Sequence, residues 1–149
     1  MPITYVKTSW TNIEHSLLAT ISDEFAHVYI SPIYKKIRNE GVRINLLSST
    51  NILTTQAFEQ REYNLIIRYY MDNIDMSNMN SNEAVKNKVD RLKTLLLENQ
   101  IGTATPKPNK WDELTIDSIE YNVSDDENED NENLNITELQ ITMINTNNH

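Results

Sequence analysis

Tyr63-Asn64-Leu65-Ile66-Ile67-Arg68-Tyr69-Tyr70-Met71 is the stretch on which the fold of this chain turns. Tyr63, Leu65, Ile67, Tyr69 and Met71 alternate with Asn64, Ile66, Arg68 and Tyr70, the period of two that sets one side of a strand against a core. Such a strand needs a neighbour, and Val42, Ile44 and Leu46, alternating with Arg43 and Asn45, supply one upstream. The intervening residues 48–60 are polar and lack glycine, so they read as a loop longer than a tight hairpin needs.

Moving outward, helices frame this pair. Thr11-Asn12-Ile13-Glu14 reads as a capping box, with Ile13, Leu17, Ile21 and Phe25 as the apolar stripe of the helix that follows. Val28-Tyr29-Ile30 before Ser31-Pro32 reads as a short edge strand, because a residue preceding proline favours extended backbone. Asn39-Glu40-Gly41 reads as a reversal, and residues 72–82 as a linker. Val85, Val89, Leu92 and Leu96, with Leu95 beside them, define a second helix that Gly102 would stop. Pro106 and Pro108 make 103–110 an extended connector.

The C-terminal third reads as a long β-ribbon. Leu114, Ile116, Ile119, Tyr121 and Val123 precede its turn, and Leu134, Ile136, Leu139, Ile141 and Met143 follow it. Pairing Val123 with Leu134 also pairs Tyr121 with Ile136, Ile116 with Ile141 and Leu114 with Met143. Each strand then changes its apolar face at the same level, between Ile116 and Ile119 and between Ile136 and Leu139. A one-residue change of phase moves side chains to the opposite face. Either the tip of the ribbon packs on something other than its own domain, or a twist or bulge absorbs the change. The tip itself, 124–133, carries Asp125, Asp126, Glu127, Glu129, Asp130 and Glu132 and no basic residue. The elements together predict one α+β domain over 1–149: a small mixed or antiparallel sheet packed with two main helices, plus a long C-terminal β-hairpin.

Composition narrows the function. The net charge of -9 works against binding a phosphate backbone, since that affinity comes from Lys and Arg displacing counterions. The absence of cysteine removes disulfides, thiolate metal sites and thiol nucleophiles, and fits a reducing compartment. No apolar run is long enough to span a bilayer, and the N-terminus lacks a basic-then-apolar export pattern. His15, His27 and His149 have no metal-pair spacing. In the acidic tip, Asp126, Asn128 and Asp130 alternate as calcium ligands do, but Asn131 and Thr137 stand where such a loop needs glycine and a bidentate glutamate. Asp112, Glu113 and Asp117 around Trp111 read as solvated strand positions. With no glycine-rich phosphate loop and no nucleophile motif, the chain is expected to be non-catalytic and to need no cofactor.

Protein contacts remain. The residues expected at an interface are Arg61 and Arg68, the ribbon positions Ile119, Tyr121, Val123, Leu134 and Ile136, and the six acidic residues of the tip. A ring subunit needs two different, complementary surfaces, which a negative tip and a basic patch on the neighbour would provide.

The order of elements resembles the tail terminators and related head–tail joining proteins of tailed phages. The capped first helix, Val28-Tyr29-Ile30 with Ser31-Pro32, the Ile66-Ile67-Arg68-Tyr69-Tyr70 strand, the second helix around Leu92 and Leu96, and the closing ribbon carry the likeness. It implies a homo-hexameric ring in the virion that caps the tail tube and joins it to neck and connector proteins, with DNA only passing through its lumen. A head-completion or stopper protein is the neighbouring alternative. A small acidic regulatory protein, binding a basic partner or a cation through the tip, is the alternative from another class.

Overall fold

A computed structural model of the chain describes residues 9–25, 27–30, 40–71, 79–98, 113–121, 123 and 135–148. The fold is α+β, as the periodicities predict. The elements run α1 (Ser9–Ser22), β1 (Val28–Ile30), β2 (Glu40–Thr54), β3 (Phe58–Met71), α2 (Met79–Glu98), β4 (Glu113–Tyr121) and β5 (Asn135–Asn148). One five-stranded mixed sheet holds every strand, in the order β1-β2-β3-β5-β4. β1 pairs parallel to β2, and all other pairs are antiparallel. The Tyr63 to Met71 stretch lies on the central strand.

The alternation in β3 gives the sheet two unlike faces. Its odd-numbered side chains face the helices. Along transverse rows they meet Val42 and Ile44 of β2, Leu139, Ile141 and Met143 of β5, and Leu114 and Ile116 of β4. Leu17, Ile21 and Phe25 from the α1 side close over these rows, together with Val85, Val89, Leu92, Leu95 and Leu96 of α2. An ion pair between Arg91 of α2 and Glu24, in the turn that follows α1, ties the two together as well. Phe25 packs edge-on to Tyr69 with ring centroids 5.8 Å apart. The turn into β1 follows at once. The N–H groups of Glu24 and Phe25 return to the Ile21 carbonyl, and His27 takes a left-handed φ of 56°. The His27 carbonyl then accepts from the Val42 N–H at 3.1 Å, which fixes the turn to β2.

Five expectations are corrected. Residues 48–60 do not form a long loop: β2 continues to Thr54 and β3 begins at Phe58, so strand ladder replaces most of it. Serine, threonine and asparagine there satisfy the backbone by pairing, although the side chains from 48 to 57 are all exposed. Glu40 and Gly41 belong to β2 and make no reversal. Helix α1 starts at Ser9, so Thr11 lies inside its first turn and is not its cap; α2 starts at Met79, within the expected linker. Finally, the ribbon keeps the predicted register only at its base. Leu114 pairs with Met143 and Ile116 with Ile141, but beyond an extra residue at Asp117 the partners become Ile119 with Leu139 and Tyr121 with Thr137. That bulge cancels the phase change in β4 and returns Ile119 to the core face. In β5 the change is real, because its ladder with β3 has no shift and Ile136 lies on the far face against Tyr70.

Candidate assembly surface

The far face of the sheet is built from the even-numbered side chains of β3. Near the β1 end, Tyr70 and Ile136 form a second small buried cluster, with Tyr29 and Val123 packed against it. The Val123 N–H donates to the Ile136 carbonyl at 2.9 Å. Next to this cluster runs a charged row across four strands: Arg43, Arg68, Glu138 and Glu120 are successive cross-strand partners. Two arginines and two glutamates adjoin like neighbours at the ends of the row, and the opposite-charge contact falls in its middle. Arg68 Nε donates to Glu138 Oε2 at 3.1 Å, and its Nη2 lies 3.1 Å from the same oxygen. Burial works against the Arg68 charge, but Tyr70 and Glu138 outweigh it and raise the pKa above the ordinary arginine value. Arg43 is 7% exposed and sits 5.5 Å above the Tyr70 ring, a cation–π contact shielded from water.

Further along the same strands burial stops. Among the described side chains the buried positions end at Ile44 on β2, Tyr63 on β3 and Met143 on β5, yet the three strands run on as an outer extension. On β2 this extension exposes large apolar side chains: Leu47 is 58% exposed, Ile52 46% and Leu53 47%. Leu47 and Ile52 are each the extra residue of a bulge, so within the extension the regular ladder with β3 between the bulges runs from 48 to 51. Polar links tie the extension together. Arg61 Nε donates to Ser49 Oγ at 2.7 Å and Nη1 to Glu59 Oε1 at 2.6 Å. Ser48, Asn64, Thr142 and Asp117 form a hydrogen-bonded chain that crosses the sheet.

These positions sort the expected interface residues. Arg61 and Arg68 lie on opposite faces and are occupied by partners within the chain, so they make no common basic patch. Ile119 packs against its own core and Ile136 lies in the second cluster. Tyr121 is the exposed apolar position of β4 at 43%. Asp125, Asp126, Glu127, Glu129, Asp130, Glu132 and Leu134 lie outside the described residues, as does Trp111. Sequence reasoning missed Leu47, Ile52 and Leu53. Their signal was present in Leu46-Leu47 and Ile52-Leu53, two apolar pairs flanking the polar Ser48-Ser49-Thr50-Asn51. Among the described residues, no group of three or more His, Asp or Glu side chains is placed to hold a metal ion. No helix in the described residues is long and apolar enough to cross a membrane.

No protein-family model matches this chain, and no curated protein is similar to it in sequence.

Proposed function

We propose that this chain is a structural virion protein of a tailed phage. It acts as a tail terminator, whose homo-hexameric ring caps the tail tube and joins it to the neck. The observation that carries the reading is the outer extension of β2, β3 and β5, a hydrogen-bonded surface with exposed Leu47, Ile52 and Leu53 and no buried cluster among its described side chains. Apolar side chains on a protruding ladder gain stability when a partner covers them, and each leucine or isoleucine fully covered contributes about 1.5–3 kcal/mol. Repeated around an axis, such a contact closes a ring if the surface it meets on the neighbour is a different one. The order of elements described above supports the terminator within the joining apparatus. The partners are then further copies of the chain, the tail tube protein and neck proteins. DNA passes through the lumen without specific contacts, in keeping with the net charge of -9.

Native mass spectrometry of the purified chain, alone and with tail tube protein, tests this. A six-subunit species in either sample supports the ring. A monomer in both, over the whole accessible concentration range, removes the reading.

A further inference from the structure

The two edges of the sheet differ in chemistry. At one edge, β1 covers β2 only at Val42, Arg43 and Ile44. From 45 to 54, β2 pairs on its inner side alone among the described residues, and side chains 47–54 are all exposed. Alternate N–H and C=O groups along this stretch point outward without a ladder partner among the described residues. Asn45-Leu46-Leu47-Ser48-Ser49-Thr50-Asn51-Ile52-Leu53-Thr54 contains no charge, proline or glycine. Charge and proline are the usual guards of a free edge, and here only the two bulges interrupt it. At the other edge, β4 carries Glu113, Asp117 and Glu120 and no basic residue. Its own bulge at Asp117 leaves 113–116 as a regular segment. That segment is as long as the regular 48–51 window of β2.

We infer that the outer edge of β2 at 45–54 accepts the β4 edge of a second copy of this chain, so that the sheets of neighbouring copies join into one. The inference rests on the ring reading and names the contact that would build it. Pairing β4 with β4 would bring together two edges whose only charges are carboxylates, which repel. Pairing β2 with β2 uses one surface twice and closes at two copies. Only the unlike pair, β2 with β4, both avoids like charges and repeats around an axis. Face order also permits it. Thr50 aligns with Glu62, and Thr115 with Thr142, so both threonines lie on the far face of the sheet. A joined sheet therefore keeps its helix face and its far face continuous across the boundary.

The chain has no cysteine, so engineered cysteines report contacts without background. Thr50→Cys is combined in turn with Glu113→Cys, Thr115→Cys and Ser118→Cys, which share one face of β4. The expected result is that at least one double variant, oxidised in the full-length protein, gives a ladder of covalent oligomers up to the ring, while every single variant stays uncrosslinked. Covalent dimers from Thr50→Cys alone would overturn the inference in favour of a two-fold β2 contact. A ring seen by native mass spectrometry in which no double variant crosslinks would overturn it while leaving the ring intact, whereas a wild-type chain that forms no ring overturns both. A charge pair gives an independent check. Thr50→Asp should weaken ring formation by about tenfold or more, about 1.4 kcal/mol per contact, by facing the acidic β4 edge. Thr50→Lys should preserve ring formation. Equal assembly by the two variants, both with the wild-type melting temperature, counts against β4 as the strand received.

Discussion

The inner and outer halves of β2, β3 and β5 share backbone pairing, interrupted only by the β2 bulges at Leu47 and Ile52, but not burial. Inner residues such as Ile44, Ile67 and Leu139 are fully covered, whereas Leu53 and its neighbours on β2 stand in solvent. Ladder hydrogen bonds replace bonds to water and contribute modestly in net terms, about 0.5–1.5 kcal/mol each. Burial of apolar area is what anchors the inner half. The outer half is therefore the part of the sheet free to gain stability from another chain, and the part that opens first when none is present.

The sharpest way to break this contrast is to remove equal volumes from both halves. Ile67→Ala should cost about 2–5 kcal/mol in chemical denaturation, because a buried cavity opens against both helices. Leu53→Ala should leave monomer stability within about 0.5 kcal/mol and lower assembly instead. A large loss of monomer stability from Leu53→Ala would show that the extension has a core after all.

The ion pairs repeat the contrast at smaller scale. Glu138 is 7% exposed and holds Arg68. Glu138→Gln should cost about 1–2 kcal/mol, chiefly by removing the carboxylate charge that faces the Arg68 guanidinium. Arg61→Ala, which breaks the more exposed pair with Glu59, should cost under about 1 kcal/mol. Double-mutant cycles on the two pairs measure the difference directly.

Tyr69 extends the contrast to pH. Its hydroxyl donates to Glu40 Oε2 at 2.7 Å, and burial followed by that hydrogen bond raises its pKa far above the usual phenol value. The protonated phenol is thus favoured in the folded state. Its contribution should be complete below the unfolded value of about 10 and lost as pH climbs from there through the raised folded value. Tyr69→Phe should cost about 1 kcal/mol at neutral pH and flatten the alkaline decline in melting temperature. An unchanged alkaline slope in that variant would assign the decline to other groups.

How much of this was legible beforehand follows from the range of each signal. The odd-numbered face of β3 and the stripe Val85, Val89, Leu92 and Leu96 were readable because burial imposes a local period on side chains. The base register of the ribbon, Leu114 with Met143, was readable for the same reason. The true extent of β2 was not. Ser48 to Asn51 have loop-like composition, and only pairing with β3 makes them strand. The candidate surface was largely hidden with it, since Leu47, Ile52 and Leu53 matter only once the polar residues around them are known to form an edge.

The sequence by itself determined the α+β class, the two helices, the central strand and the apolar residues that meet in the main core, because those depend on periodicity within a segment. Tertiary structure decided the rest. It inserted β5 between β3 and β4, placed the bulge at Asp117 that returns Ile119 to the core, and left one edge of the sheet charged and the other bare. Strand order and register depend on which backbone groups find partners across the molecule, and a pattern confined to one strand carries no record of that choice.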